Sequence, residues 1–192
     1  MTRKIVLGIT GASGAIYARG LVDALIAARV RQPIALAAVL SSTAPEVWAH
    51  ELGGDVREWL ASRDVPVFAG RDYSAPFASG SARWDSMVVV PCSMSTLAKV
   101  AHGISDDLLT RAADVMLKER RRLVLVARET PLSVIHLENM LSVTRAGALV
   151  LPATPSFYGR PATVDDVVAT VTGRVLDHLG IDHDAPRWGE ES

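Results

Sequence analysis

The chain has 192 residues, of which 49% are hydrophobic and 21% charged, and its formal net charge is −1. This composition is that of an ordinary folded domain, so extended disorder is excluded, and a single domain accounts for the length. The balanced charge gives no electrostatic basis for binding nucleic acid or an anionic membrane.

Cysteine content and hydropathy exclude further classes. Cys92 is the only cysteine, which rules out an intramolecular disulfide and a cysteine-based metal site. No stretch reaches the ~18 consecutive apolar residues that span a bilayer, and the first residues lack the pattern of a signal peptide. We therefore expect a cytoplasmic protein that holds no metal and does not contact a membrane.

The first predicted elements are a buried strand over residues 4–7, a glycine-rich turn over residues 8–15 and a helix that continues to Ala27. The apolar period changes from that of a strand to that of a helix across the turn. Such a turn exposes backbone N–H groups at the positive end of a helix dipole, which suits a phosphate or another anion. Its spacing matches neither the dinucleotide-binding nor the P-loop pattern, so an ordinary strand-to-helix turn stays an alternative.

Two further predicted strands, residues 34–40 and 86–90, also end in small hydroxyl residues. Ser41 follows the first of them, and the hydroxyl-rich segment 93–96 follows the second. Ligands of open parallel sheets bind beyond the carboxyl ends of the strands, so these residues are candidates for contacting a phosphorylated ligand. Ser41 can equally cap the next helix. The connection over residues 70–83 is long for a compact domain, which favours a functional loop.

Charged residues accompany the predicted helix over residues 108–120 and the strand that follows it. Arg111 and Lys118 lie two helical turns apart on one stripe, where a solvated face is the simpler interpretation and an anion site the alternative. Arg128 and Glu129 stand at the end of the following strand, where an adjacent charged pair needs solvent, partners or a ligand.

The last predicted elements are a strand over residues 148–151 and a helix over residues 164–179, in which Arg174 interrupts an apolar repeat. Short apolar strands that alternate with helices predict βαβ units, and therefore a single-domain α/β fold with a parallel sheet and helices on both faces. From the residues alone, the furthest conclusion is that this fold binds a phosphorylated cofactor.

Several long segments together resemble the flavin prenyltransferase (UbiX-like) family, and the resemblance extends over residues 4–190. It implies a flavodoxin-like Rossmann fold, trimers that assemble into a homododecamer, and FMN bound between subunits. The implied reaction transfers a dimethylallyl group from dimethylallyl phosphate to N5 of reduced FMN, closes a ring at C6 without a metal, and supplies prenylated FMN to a UbiD-type decarboxylase. The segments that carry the resemblance are residues 8–18, 91–97, 108–121 and 128–139, with Pro155, Phe157 and Tyr158.

The resemblance also implies roles for individual residues. Those implied to contact FMN are Gly11, Ala12, Ser13, Ser41, Ser93, Met94, Ser95, Thr96 and Arg128. Those implied to hold dimethylallyl phosphate are Lys118, Arg128, Glu129, Tyr158, Arg174 and Arg111. The implied catalytic residues are Ser13, Glu51, Glu129, Lys118 and Tyr73. Among these, a carboxylate can accept the flavin proton and an aromatic face can stabilise an allyl cation.

Two other functions remain alternatives. A related flavin-dependent cysteine decarboxylase needs an early catalytic histidine, for which the sequence offers only His50. A carrier of FMN, or an accessory subunit of a decarboxylase, would need no catalytic set at all. Neither the decarboxylase served nor the choice between a monophosphate and a diphosphate head group follows from the sequence.

The chain departs from the family pattern at three positions, Ser42, Arg122 and Ala127, where relatives often carry lysine, proline and proline. None of the three is an implied contact. The tail over residues 181–192 has no periodicity but contains Trp188, and an exposed tryptophan in a polar tail favours docking on a neighbouring subunit.

Overall fold

The four central strands of the sheet are short, apolar and mostly buried, whereas its two edge strands are only partly buried. The computed structural model describes residues 2–184, and every neighbouring pair of strands in its six-stranded sheet is parallel. In sequence order the strands are β1 (Arg3–Ile9), β2 (Ile34–Leu40), β3 (Val67–Phe68), β4 (Ser86–Cys92), β5 (Arg122–Ala127) and β6 (Leu149–Pro152). Their spatial order is β3-β2-β1-β4-β5-β6, which is the flavodoxin order with β3 added at one edge. The predicted fold class is confirmed.

Seven helices connect and flank these strands in the described part of the chain. They are α1 (Ala15–Ala28), α2 (Ala44–Leu52), α3 (Val56–Ala61), α4 (Met94–Ala101), α5 (Leu108–Lys118), α6 (Val134–Arg145) and α7 (Val164–Leu179). Side chains cap several of them: Asp107, Ser133 and Thr163 accept hydrogen bonds from the backbone of the first turns of α5, α6 and α7. These caps follow from the residue types preceding each apolar repeat.

Several element boundaries differ from the sequence-based expectation, which also included a helix beginning at Leu97 and an edge strand over residues 65–68. Helix α4 begins at Met94 instead of Leu97, because Ser93 caps it by accepting from the backbone N–H of Thr96. Helix α5 ends at Lys118 instead of Arg120, since Arg120 takes a left-handed conformation with φ of 54°. Strand β3 contains two residues only, while β4 extends to Cys92.

Alternate residues of each strand contribute to two separate cores. Ile5, Leu7 and Ile9 of β1 pack with α1 and α7 on one face, whereas Val6 packs with α4 and α5 on the other. Cys92 is fully buried in the second core, and burial raises the pKa of its thiol to about 12. Cys92 is therefore a structural residue, because a thiol that stays protonated is a poor nucleophile.

The start of the predicted tail belongs to the core. Ile181 is buried against α1 and α7, and His183 Nε2 lies 3.0 Å from Asp177 Oδ1. The predicted docking of Trp188 falls in residues 185–192, which lie outside the described residues. Within residues 2–184, no helix combines the length and apolar character required to cross a membrane.

Candidate functional site

Thr10 joins the carboxyl ends of β1 and β4. Its buried hydroxyl donates to the carbonyl of Pro91 at 2.7 Å and accepts from the backbone N–H groups of Ser93 at 3.0 Å and Ala12 at 3.4 Å. Connections leave β1 and β4 towards opposite edges of the sheet, so Thr10 lies at the switch point where ligands of this architecture bind. Thr10 was not among the predicted contacts, although it is the first polar residue after the apolar strand.

Replacing Thr10 by Val should destabilise the protein by about 2 kcal/mol, because buried backbone groups lose a hydroxyl partner while the side-chain volume is kept. Urea unfolding at neutral pH measures the difference. The matched control is Thr144→Val, since among residues 2–184 the hydroxyl of exposed Thr144 bonds only to the carbonyl of Met140, within α6. Equal effects of the two variants would contradict the assigned role of Thr10.

Gly11 allows a second turn to approach the first. A Cβ atom at this position would collide with the side chain of Thr43, so only glycine fits against it. The hydroxyl of Thr43 lies 3.3 Å from that of Ser41, which brings the end of β2 against the turn that follows β1. The predicted FMN contacts at the ends of β1, β2, β4 and β5 thus lie along one edge of the sheet. We call this set the carboxyl-edge site: Gly11, Ala12, Ser13, Ser41, Ser93, Met94, Ser95, Thr96 and Arg128.

Glu51 of α2 occupies the N-terminus of α1. Its carboxylate accepts from the backbone N–H of Gly14 at 2.9 Å and from that of Ala15 at 2.7 Å. It also takes part in a side-chain hydrogen bond with Ser13, so two predicted catalytic residues are in contact. The helix end that the sequence offered to a ligand anion is therefore filled by a carboxylate of the chain itself.

Arg128 adds a positive charge close to the carboxylate of Glu51. Burial pushes the pKa of Glu51 upwards, but hydrogen bonds from Ser13, Ala15 and Gly14 and the charge of Arg128 outweigh it, so the pKa lies below the ordinary value of 4.5. Glu51 is consequently ionised at neutral pH. As an ionised carboxylate it can accept a proton, whereas it cannot donate one.

The lowered pKa of Glu51 predicts how the stability of the protein depends on pH. Because the folded-state pKa of Glu51 is lowered, its contribution is present above the ordinary value and is lost as pH falls through the folded value. Because Glu51 is exposed and solvent screens its charge, Glu51→Gln should lower the free energy of unfolding by only about 0.5 kcal/mol at neutral pH, and the difference should shrink as the pH falls below the ordinary value of 4.5. Urea titrations across this range measure it, and a difference independent of pH would contradict the assignment.

The N-terminus of α4 is another helix end at this edge. The Ser93 hydroxyl accepts from the backbone N–H of Thr96 at 3.2 Å and donates to its Oγ1 at 3.1 Å. The N–H groups of Met94 and Ser95 belong to the first turn, which has no carbonyl partners within its own helix. These groups, with the exposed Ser95 hydroxyl, form an anion-binding arrangement without any basic side chain.

Arg128 and Glu129 follow β5 at the same edge. The backbone N–H of Arg128 donates to the carbonyl of Cys92 at 3.1 Å, which fixes the start of this segment beside the α4 turn. Glu129 is exposed, and its carboxylate accepts from the N–H of Thr130 at 3.0 Å. The pair thus places one cation and one carboxylate beside the helix end that can hold a phosphate.

Lys118 lies at the opposite edge of the sheet. It ends α5 just before β5 begins, whereas Arg128 follows the end of β5, and a strand of six residues spans about 20 Å. One phosphate cannot contact both side chains within a single chain. In this chain the Lys118 ammonium donates to Glu119 at 2.9 Å.

Arg174 also lies at this amino edge. The pKa of His178 is lowered first by burial and then by the charges of Arg174 and Arg122, and Arg122 is the first residue of β5. The guanidinium of Arg174 forms an ion pair with Asp177. Such an ion pair accounts for a charged residue within the apolar repeat of α7.

The remaining predicted contacts lie on α5 and on loops that flank the sheet. Arg111 donates through Nε to the carbonyl of Ala78 at 3.1 Å and pairs with Asp114 at 3.1 Å, so it holds the loop over residues 69–85 against α5. Tyr73 of this loop is 51% exposed, and Tyr158, which follows β6, is 55% exposed.

Comparisons with known proteins identify the family. Residues 1–176 match the family model described as Flavoprotein. The flavin prenyltransferase UbiX of Alkalihalophilus pseudofirmus is 46% identical, with 96% of this chain and 95% of the relative covered. A solved complex of AnUbiX with FMN and dimethylallyl pyrophosphate has a TM-score of 0.91 at 46% identity, and both chains are covered completely. A dodecameric FMN-dependent UbiX-like decarboxylase from Escherichia coli O157:H7 has a TM-score of 0.89 at 45% identity, with 98% of this chain and all of the other covered.

Identity of this level over whole chains, together with the shared fold, settles the family. The resemblance inferred from the sequence is confirmed. This chain belongs to the flavin prenyltransferase (UbiX) family.

Proposed function

We propose that this protein is a flavin prenyltransferase that moves a dimethylallyl group from dimethylallyl phosphate to reduced FMN. The main support for the proposal is that Ser13, Glu51 and Arg128 lie together at the switch point of the sheet, where Glu51 is hydrogen-bonded to Ser13 and feels the charge of Arg128. A full-length relative has been solved with FMN and dimethylallyl pyrophosphate, which supports the same pair of substrates here.

The carboxyl-edge site fits FMN by its chemistry. The first turn of α4 offers backbone N–H groups and hydroxyls to the phosphate of FMN, and Gly11 leaves the backbone of the first turn open to close approach. The α1 N-terminus does not compete for that phosphate, because Glu51 fills it. We therefore place the FMN phosphate at Ser93–Thr96 and the ring system towards Ser13.

Reduced FMN supplies the nucleophilic N5 and C6 atoms of the proposed reaction. The C–O bond of the prenyl donor breaks as the C–N5 bond forms, and inorganic phosphate leaves with the electron pair of the broken bond. Arg128 and Lys118 stabilise the charge that develops on that phosphate. N5 loses its proton to the departing phosphate, and the ring closes when the remaining C=C bond of the prenyl group takes up a proton at one carbon and bonds to C6 through the other. The carboxylates of Glu129 and Glu51 accept the proton that C6 then loses, and the ring of Tyr73 faces the allyl cation.

We propose that the active site is completed by a second copy of the chain. Lys118 and Arg174 lie at the edge of the sheet opposite Arg128, so a phosphate site that uses all three needs two copies. Helix α6 supports such an assembly, because its exposed surface carries Val134 at 69% and Ile135 at 68% exposure. An apolar surface of this kind favours burial against protein. The dodecameric state of the relative from E. coli O157:H7 agrees with a homo-oligomer.

The recipient of the product is also a proposal. The family resemblance supports delivery of prenylated FMN to a UbiD-type decarboxylase in the cytoplasm. Mixing the purified product with an apo-decarboxylase of this type, in the absence and presence of this protein, measures whether the protein is needed for delivery.

The deciding experiment mixes the purified protein with reduced FMN and dimethylallyl phosphate without oxygen, and measures the mass of the released flavin. A gain of one five-carbon prenyl unit is expected. Unchanged FMN from folded, flavin-loaded protein, with the monophosphate and also with the diphosphate, would overturn the proposed function.

A further inference from the structure

The C-terminal end of α5 turns sharply at Arg120. This residue has a φ of 54°, the N–H of Arg120 donates to the carbonyl of Leu117, and that of Arg121 donates to the carbonyl of Met116 at 2.8 Å. These bonds satisfy carbonyl groups at the end of the helix in the way a left-handed cap does. The turn places the side chains of Glu119 and Arg121 against the loop over residues 69–85.

Arg121 fixes that loop by two hydrogen bonds to its backbone. Its Nη2 donates to the carbonyl of Gly80 at 2.6 Å, and its Nη1 donates to the carbonyl of Ala82 at 3.0 Å. The side chain of Arg121 is 19% exposed, so the planar guanidinium is held in one orientation. The backbone of the loop at Gly80 is therefore held in place by the side chain of Arg121.

The carboxylate of Glu119 packs on that surface. A Cβ atom at Gly80 would collide with Oε1 of Glu119, so the close approach requires glycine. Oε2 of Glu119 lies 3.7 Å from Nη2 of Arg121. Oε1 accepts from the ammonium of Lys118 at 2.9 Å. Lys118, Glu119, Arg121 and the backbone of Gly80 thus form one connected unit.

We propose that Glu119 is a positioning residue for Lys118, and that glycine at position 80 leaves the space that the carboxylate of Glu119 needs for this role. The inference rests on the proposed function, in which Lys118 binds the phosphate of the prenyl donor. A lysine ammonium sits on a flexible four-carbon stem, and ordering it on binding costs free energy. Glu119 orders it beforehand and uses one of its three N–H donors, which leaves two for the phosphate. Arg121 offsets the negative charge of Glu119, so the unit keeps a net positive charge.

The first test is Glu119→Gln in the full-length assembled protein. We expect the KM for dimethylallyl phosphate to rise about three- to tenfold, a smaller change in kcat, and an unchanged Kd for FMN. The matched control is Glu58→Gln, which removes the same charge from an exposed position on α3. An unchanged KM would overturn the proposal. A lower KM would also overturn it, because Glu119 would then compete with the phosphate.

Gly80→Ala provides an independent variant that keeps the carboxylate. The methyl group displaces the flexible end of Glu119 and leaves the loop bonds of Arg121 intact, so the protein should fold. We expect this variant to raise the KM as Glu119→Gln does, and the double variant to be no worse than either single one. Additive effects would show that Gly80 and Glu119 act separately, which contradicts the proposal.

A chemical measurement separates this inference from the proposed function. Mass spectrometry gives the rate at which an amine-reactive reagent labels each lysine, and a carboxylate partner shields the ammonium. We expect both variants to label Lys118 at least about threefold faster, with Lys99 unchanged because Asp106 still pairs with it. If wild-type protein makes no prenylated flavin, the proposed function fails and labelling alone decides the position of Lys118. If wild-type protein is active and the labelling of Lys118 is unchanged, only the positioning role fails.

Discussion

Glu129→Gln is expected to lower the rate of prenyl transfer by about 10²–10⁴-fold while FMN stays bound, because glutamine cannot accept the proton released on ring closure. The fold should be unaffected. Glu129 is exposed and bonds only to the adjacent N–H of Thr130 among the described residues, and the amide oxygen of glutamine can accept the same bond. Anaerobic turnover followed by mass measurement of the flavin gives the rate.

The same variant separates a catalyst from a carrier. A carrier or accessory subunit would bind FMN and support its decarboxylase equally well with glutamine at position 129. Glu58→Gln is the control for loss of one surface charge and should keep full activity. Wild-type turnover by Glu129→Gln would remove Glu129 from the catalytic set and leave Glu51 as the remaining carboxylate at the carboxyl edge.

Co-assembly of two inactive variants is expected to restore activity. Lys118→Met and Glu129→Gln change residues that lie at opposite edges of the sheet. Within one chain the two residues are separated by the length of β5, about 20 Å. If each site takes Lys118 from one copy and Glu129 from another, random mixing leaves about one site in four intact. Dissociation, mixing and reassembly of the two variants, followed by turnover, should therefore recover about a quarter of wild-type activity.

The control for this experiment mixes Arg128→Met with Glu129→Gln. Both residues follow β5 and belong to the same edge of the same copy, so every mixed site carries one of the two lesions and no recovery is expected. Recovery of activity in both mixtures would mean that the recovery does not depend on which copy supplies each residue. If the mixture of Lys118→Met with Glu129→Gln recovers no activity, Lys118 of one copy and Glu129 of another do not share a site.

The sequence by itself determined the elements and the family. Alternating apolar strands and helices predicted a parallel sheet with helices on both faces, and the helix predicted over residues 164–179 has those bounds in the structure, with Thr163 as its cap. These features depend on hydrophobic period and on hydrogen bonds between residues about three apart, which are both local properties. Even there, the end of α5 was missed, because nothing local marks Arg120 as left-handed.

Only the tertiary structure decided which of these residues meet. Glu51 reaches the N-terminus of α1 from another helix, and Thr10 bonds to Pro91 across neighbouring strands, because β1 lies between β2 and β4 in space. The same geometry separates Lys118 from Arg128 by the length of β5. Contacts of this kind depend on the spatial order and length of strands, which packing of the whole chain sets and no local pattern records.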